Sequence, residues 1–192
     1  MPRDADPSHL HPLLRNFIRE LDGELVAAGI PLTLYEGARS PFRQVELFAK
    51  GRGVGDPGKT VTRARAWGSH HQFGMAADYV FRVRDAWTWE EPKRGMWDEY
   101  NRIARGIGLR VLSFEKPHVE LPIELAGLQA GRFPVGGDET WERWIEQEIE
   151  RWGSEARIVN GHTHPGAPPL PTLNERPPLV FDEGLPTSPF GA

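Results

Sequence analysis

Residues 69–83 read S-H-H-Q-F-G-M-A-A-D-Y-V-F-R-V, and they place a histidine, His71, shortly before an aspartate, Asp78, that opens an apolar run. A lone ionised carboxylate in an apolar interior is costly, so it must be neutralised, paired or bound to a metal. Because an imidazole lies close by in the sequence, metal binding is the most specific of these three hypotheses. Residues 75–83 have the length and composition of a central strand. The stretch therefore predicts a buried strand that carries a metal ligand.

The downstream sequence F-E-K-P-H-V-E supplies His118 and, three residues before it, Glu115. A catalytic zinc site commonly uses three protein ligands with nitrogen or oxygen donors and leaves a fourth position to water. We therefore predict that His71, Asp78 and His118 hold a metal and that Glu115 serves the bound water. In a regular strand Glu115 and His118 would point to opposite faces, so the prediction needs a turn or bulge, which Pro117 favours.

Each site residue taken alone has an ordinary structural explanation. A histidine can be a hydrogen-bonded core residue, Asp78 can cap a turn, and Glu115 can form a surface ion pair with Arg39. The order and spacing of the whole set favour the metal site over these explanations. Nitrogen and oxygen ligands discriminate poorly among transition metals, so zinc is an inference.

The set also resembles a known family. The pattern S-x-H-x-x-G-x-A-x-D followed by E-x-x-H is similar to that of the zinc D-Ala-D-Ala carboxypeptidases and L-alanyl-D-glutamate endopeptidases of peptidase family M15, which cut bacterial cell-wall peptides. Residues 36–53, E-G-A-R-S-P-F-R-Q-V-E-L-F-A-K-G-R-G, and residues 57–62, P-G-K-T-V-T, resemble further segments of that family. Together the similar segments extend over residues 10–122.

The resemblance implies a role for each motif residue. It assigns one zinc ion to His71, Asp78 and His118, the catalytic base to Glu115, and polarisation of the scissile carbonyl to Arg39. It implies hydrolysis of an amide bond in peptidoglycan stem peptides, with an L-alanyl-D-glutamate endopeptidase of endolysin type as the main expectation. The alternatives are a D-Ala-D-Ala carboxypeptidase or dipeptidase, and a non-catalytic, zinc-stabilised module that binds cell wall.

Two neighbouring residues each have two explanations, and two others depart from the family pattern. Ser69 could hold the substrate amine or carboxylate, or it could be a structural hydrogen-bonding residue. Gln44 could orient Arg39 or the substrate, although an amide on a helix surface is the commoner explanation. The family usually has an aromatic residue where Ala38 stands, and an aromatic or small residue where His70 stands. The register of the motif selects the second histidine of the pair, not His70, as the metal ligand.

The composition excludes several classes of protein. The chain has 192 residues and no cysteine, so disulfides and thiolate metal sites are excluded. Residues 1–137 carry a net charge near +2 and residues 138–192 one near −6, which does not resemble the basic face of a nucleic-acid-binding domain. We expect no signal peptide and no membrane span. A monomer made in the cytoplasm would then reach the wall after release, or as a component of a virion.

The periodicity predicts an α+β fold, with a small, mostly antiparallel sheet, packed helices and the zinc site at one face of the sheet. Strands are predicted over 30–35, 75–83 and 109–114, and helices over 12–28, 41–50, 96–106, 123–130 and 139–152. Residues 51–58 are predicted to be a loop.

We expect three parts of the chain: a catalytic domain over 1–135, an amphipathic helix over 136–153 and a flexible Pro/Gly-rich tail over 154–192. The tryptophan-rich face of the 139–152 helix predicts a cap on the core, with an exposed binding stripe as the alternative. The remaining histidines are expected to be solvated: His9, His11, His162 and His164.

Overall fold

The structure is a computed structural model that describes residues 2–53 and 58–171. Its helices are α1 (Pro12–Ala27), α2 (Pro41–Ala49), α3 (Met96–Gly106), α4 (Leu125–Gln129) and α5 (Glu139–Trp152), with 3-10 turns at Pro7–His9 and His70–Phe73. Its strands are β1 (Leu32–Glu36), β2 (Ala76–Val83), β3 (Ala86–Thr88), β4 (Arg110–Leu112), β5 (Glu115–Glu120), β6 (Arg157–Val159) and β7 (His162–His164).

The main sheet has the strand order β1-β2-β5-β4, with β3 paired to β2, and every pairing is antiparallel. Helices pack against this sheet, which confirms the predicted α+β class. The register places Asp78 opposite Glu36 on one neighbouring strand and opposite His118 on the other. One row across three strands therefore carries three ionisable side chains.

The side chains of the central strand β2 point alternately to the two faces of the sheet, so that one face packs on the core and the other carries the site. Tyr79 and Phe81 are fully buried, and their rings contact Tyr100 and Trp97 of α3 at centroid distances of 5.5 and 4.6 Å. Successive side chains of a strand point to opposite faces, so Asp78 projects to the other side of the sheet. The site thus lies on one face of the sheet, as expected.

Helix α1 covers the core face through an apolar stripe. Its buried residues recur at helical spacing, and they are Leu14, Ile18, Leu21 and Leu25. Val26, which follows the last residue of this stripe, is 80% exposed. Among residues 2–53 and 58–171, no helix has the length and apolar character needed to cross a membrane.

The β4–β5 pair contains the break that the metal prediction required. Val111 pairs with Val119 whereas the next residue, Leu112, pairs with Glu115, so the register shifts and residues 116–118 bulge out. This segment includes Pro117, whose fixed φ suits an irregular strand. Glu115 and His118 are therefore not held to the strict alternation of a regular strand.

Helix α5 packs on the same core as the rest of the chain. Its apolar face is buried, and the residues concerned are Trp141, Trp144, Ile145, Ile149 and Trp152. The Nε1 group of Trp141 donates at 2.9 Å to the carbonyl of Phe73, two residues after His71. The core-cap interpretation of this helix is confirmed.

The predicted flexible tail differs from the structure over residues 154–171. The β6–β7 hairpin is followed by chain that folds back on α5, where Trp152 Nε1 donates to Pro165 O at 2.9 Å and Ala167 N to Gly153 O at 2.8 Å. A Cβ at Gly166 would lie only 1.9 Å from Ser154 O, so this close passage requires glycine. The rest of the predicted tail, 172–192, and residues 54–57 of the predicted loop lie outside the described residues.

Two histidines expected to be solvated are buried. His11 is 0% exposed and caps α1, since its Nδ1 accepts from Leu13 N at 3.2 Å. His164 is 1% exposed and its Nδ1 accepts from Ala66 N at 3.3 Å. Both expectations were wrong because each imidazole combines a ring that packs on aromatic residues with a nitrogen that satisfies a backbone donor.

Candidate metal centre

A short turn delivers the first histidine of the motif to the sheet. Residues 70–73 form a 3-10 turn that ends at Gly74, whose φ is +68°. A Cβ at Gly74 would lie 2.6 Å from His9 O, so both the left-handed backbone and the close packing require glycine. The turn places His71, 1% exposed, beside the start of β2.

Three side chains converge at this point. His71 Nε2 lies 3.2 Å from Asp78 Oδ1, and His118 Nδ1 lies 3.1 Å from the same oxygen. The two histidine nitrogens are 3.2 Å apart. The structure therefore brings the three predicted ligands together as a nearly equilateral triangle of donor atoms.

This triangle fits a small cation. Ligand atoms about 2.0–2.1 Å from a tetrahedral zinc ion stand roughly 3.3 Å from one another, close to the separations observed here. A single proton can bridge only one pair of the three atoms, whereas one cation attracts all three. His71, Asp78 and His118 could therefore hold a metal ion, and two nitrogens with one oxygen are a donor set that zinc accepts.

In each imidazole, the ring nitrogen that faces away from the triangle also has a hydrogen-bond partner. His71 Nδ1 lies 2.6 Å from Gly37 O, and His118 Nε2 lies 2.9 Å from Glu120 Oε2. A ring nitrogen that donates its proton to an oxygen leaves the other nitrogen free to act as a ligand. In its neutral form, each ring would therefore present a lone pair to the centre of the triangle.

Arg39 belongs to the same network. Its Nη2 group donates to Asp78 Oδ2 at 2.9 Å and to Glu36 Oε2 at 2.7 Å. Glu36, which also pairs with Arg43, is buried. The guanidinium thus occupies the second oxygen of Asp78 and leaves the first to face the histidines.

Gln44 is buried, so the helix-surface explanation was wrong. Its Oε1 accepts from Arg39 Nη1 at 3.2 Å, while its Nε2 donates to Ala64 O at 2.8 Å. The amide therefore joins the arginine to the segment that follows α2. Its expected contact with substrate stays a prediction.

The charges within the cluster shift the pKa values of Asp78 and His118. Burial raises the pKa of Asp78, but the neighbouring His71 and His118 lower it more, so the net pKa lies well below its usual range. Burial lowers the pKa of His118, but its hydrogen bonds to Asp78 and Glu120 outweigh this effect and raise it to about 9. Without a metal, the cluster is thus held together by an ionised carboxylate and a protonated ring.

The centre opens into a cavity of about 860 Å³. Its lining includes His71 and His118 together with Arg39, Ser69 and Glu115. Glu115 is exposed at the first position of β5, and Ser69 N donates to Gln72 Oε1 at 3.1 Å. Five of the seven predicted site residues therefore border the same space, while Asp78 and Gln44 lie behind this lining, where each is hydrogen-bonded to Arg39.

The sequence prediction did not include Glu36 and Glu120. Glu120 follows His118 by two residues in a strand, so strand periodicity places both side chains on one face and could have indicated their contact. Glu36 gives no comparable signal, because its approach to Arg39 depends on the turn after β1. His70 lies beside this network and not in the ligand triangle: its Nδ1 is 2.8 Å from Glu120 Oε2.

No family model matches this chain. The chain is 32% identical over 109 residues to the peptidoglycan L-alanyl-D-glutamate endopeptidase CwlK of Bacillus subtilis (strain 168). That alignment covers 53% of this chain and 64% of the relative, so the chain spans less than two thirds of the relative's length. The crystal structure of the Serratia marcescens L-Ala D-Glu endopeptidase ChiX aligns with 62% of this chain and 90% of that chain, at 22% identity and a TM-score of 0.42.

Proposed function

We propose that this protein is a zinc-dependent peptidase that hydrolyses an amide bond in peptidoglycan stem peptides, between L-alanine and D-glutamate. The observation that carries the proposal is the triangle of donor atoms from His71, Asp78 and His118 at the wall of a cavity that Glu115 also borders. The similarity to the Bacillus subtilis endopeptidase supports the choice of substrate and bond. The proposed place of action is the cell wall, reached after release or as part of a virion.

The reaction needs an activated water and a proton carrier. When bound, zinc would supply a Lewis acid that lowers the pKa of a coordinated water and polarises the scissile carbonyl. Glu115, which is exposed and borders the cavity, would take the water's proton and pass it to the departing amine. His71, Asp78 and His118 would hold the ion, and the hydrogen bonds behind the two rings would keep them oriented.

Arg39 adds a fixed positive charge to the cavity wall. Burial lowers its pKa, but Asp78 and Glu36 raise it more, so the side chain stays charged. A preorganised cation next to the reacting carbonyl stabilises the negative charge that develops on its oxygen. Because its Nη2 group already donates to Asp78 and Glu36, we assign Arg39 both this electrostatic role and the orientation of Asp78.

The decisive experiment is mass spectrometry of the soluble fragments that the zinc-loaded protein releases from purified peptidoglycan, with a chelator-treated sample in parallel. We expect new amine ends at D-glutamate that disappear with the chelator. Free D-alanine or its dipeptide would move the assignment to the carboxypeptidase or dipeptidase reaction. Metal binding without any released fragment would overturn the proposal and favour a cell-wall-binding module.

A further inference from the structure

The carboxylate of Glu120 lies directly behind the metal triangle. Its Oε2 atom is 2.9 Å from His118 Nε2, the ring nitrogen that faces away from the other two ligands. Glu120 is 5% exposed and borders the cavity, so most of its carboxylate is shielded from water. A buried carboxylate at this distance accepts a strong hydrogen bond from an imidazole N–H.

Three groups fix the position of this carboxylate. Arg110 Nε donates to Glu120 Oε1 at 2.7 Å, and His70 Nδ1 lies 2.8 Å from Oε2. Arg110 Nη2 and His70 Nε2 each lie 2.8 Å from the carbonyl oxygen of Ile123, which ties the two side chains to one backbone point. Both oxygens of Glu120 thus have partners in the protein. The carboxylate cannot rotate away from His118 without losing these contacts.

The contact decides which nitrogen of His118 is available. His118 Nδ1 lies 3.1 Å from Asp78 Oδ1, so a neutral ring with its proton on Nδ1 would bind Asp78 and lose its lone pair for a metal. A carboxylate that accepts from Nε2 favours the opposite tautomer, in which Nδ1 is free. Such partners behind a metal-binding histidine also make the ring a stronger donor.

We infer that Glu120 is a positioning residue for the metal centre, which orients His118 through Nε2, and that His70 and Arg110 hold Glu120 in place. This inference rests on the metal site of the proposed function. It also gives His70 a role: this histidine, which precedes His71 in the sequence, would hold the Glu120 carboxylate and would not bind the metal.

The test measures the affinity of the metal-free protein for Zn²⁺ alone, by competition with a chromophoric chelator. Glu120→Gln should weaken zinc binding about 10–100-fold, the usual effect of removing a partner of this kind. Glu124→Gln is the matched control: Glu124 also pairs with Arg110, with Oε1 3.5 Å from Nη1, but its side chain is 89% exposed. The control variant should bind zinc as the wild type does.

A second variant guards against a loss of folding. Glu120→Asp keeps the negative charge beside Arg110 and His70 but withdraws the carboxylate from His118, so it should fold and still bind zinc more weakly. In the zinc-loaded wild type, the proton on His118 Nε2 should give a downfield NMR signal that moves upfield in both variants. Wild-type affinity in folded Glu120→Gln or Glu120→Asp, or an unmoved proton signal, would overturn the inference.

The same measurements separate this inference from the proposed function. Zinc affinity and the histidine proton signal require no hydrolysis, so weaker binding by the Glu120 variants would stand even if the wild type cleaved no peptidoglycan. Cleavage by the wild type together with unchanged zinc affinity of the variants would overturn the inference alone.

Discussion

At the scale of single residues, the site is built by the pairing of each ligand with a group behind it. His71 is held by the carbonyl of Gly37, His118 by Glu120, and Asp78 by Arg39. These partners leave one lone pair of each ligand directed at the same point. The chemistry of the centre is therefore set by groups that would not themselves touch the metal.

Glu115 tests the assignment of the general base. Glu115→Ala should lower the cleavage rate about 10²–10⁴-fold, because it removes the carboxylate that we propose carries the proton from water to amine. Zinc affinity should stay near that of the wild type, since Glu115 is outside the ligand triangle. The neighbouring Lys116→Ala variant serves as control in a fragment-release assay. Cleavage at the wild-type rate by Glu115→Ala would contradict the assignment.

His118 predicts how zinc affinity depends on pH. Its pKa of about 9 in the metal-free protein means that the ring is protonated at neutral pH, so zinc must displace a proton. Affinity should therefore rise about tenfold for each pH unit over the range below that pKa. Chelator competition at several pH values, with buffer-dependent calorimetry to count released protons, checks this expectation. A flat profile with no proton release would contradict it.

At the scale of elements, the metal motif spans a turn and a strand. Close packing at a glycine sets the end of the turn, and burial of alternate side chains sets the start of the strand. The 3-10 turn ends where Gly74 passes His9 O, and β2 begins where its alternating side chains enter the core. The bulge in β5 then removes the strict alternation between Glu115 and His118. The central strand matched the hydrophobic pattern, whereas β5 was not predicted as a strand and its bulge depended on a proline and on pairing with β4.

The start of α1 predicts an acid-sensitive helix cap. Burial lowers the pKa of His11 to about 4, an effect that Arg15 reinforces and that the Pro134 carbonyl and Asp138 partly oppose. The folded pKa lies below the unfolded value, so His11 stabilises the protein fully above about pH 6.5 and progressively less as the pH falls towards 4. Its share of the free energy of unfolding should fall by about 2 kcal/mol between pH 7 and pH 5.

The variant His11→Asn isolates this contribution. Asparagine keeps a side-chain acceptor suited to a helix N-cap but does not titrate. Urea unfolding at both pH values should therefore show a smaller loss of stability on acidification for the variant than for the wild type. Equal losses in the two proteins would assign the acid sensitivity to other groups.

At the scale of the whole molecule, the C-terminal hairpin supports one wall of the cavity. Residues 60–64 line the cavity, and the chain directly after them is held by the hairpin. Arg65 Nη1 donates to Thr163 O at 2.6 Å, and Ala66 N donates to His164 Nδ1 at 3.3 Å. Phe48 of α2 packs against the His164 ring at 5.3 Å. The hairpin, residues 157–164, thus supports the segment that lines the candidate site.

His164→Ala tests this support. Loss of the acceptor for Ala66 N and of the buried ring should lower the free energy of unfolding by about 1–3 kcal/mol. If the wall of the cavity loosens, KM for a stem-peptide substrate should rise more than kcat falls. His162→Ala is the control, because His162 is only half-buried and packs on the same Phe48 ring at 5.2 Å. Equal effects of the two substitutions would contradict a specific role for His164.

The sequence by itself determined the helices, the central strand and the three residues that meet at the candidate metal centre. Those features depend on local periodicity and on side-chain chemistry, which can be read along the chain. Only the tertiary structure decided the environment of Glu36, of Gln44 and of the histidines at 11 and 164, and the contacts of Glu120 with Arg110 and His70. Their partners lie on other elements or across turns, and burial and hydrogen bonding across such distances follow from packing, which no local pattern records.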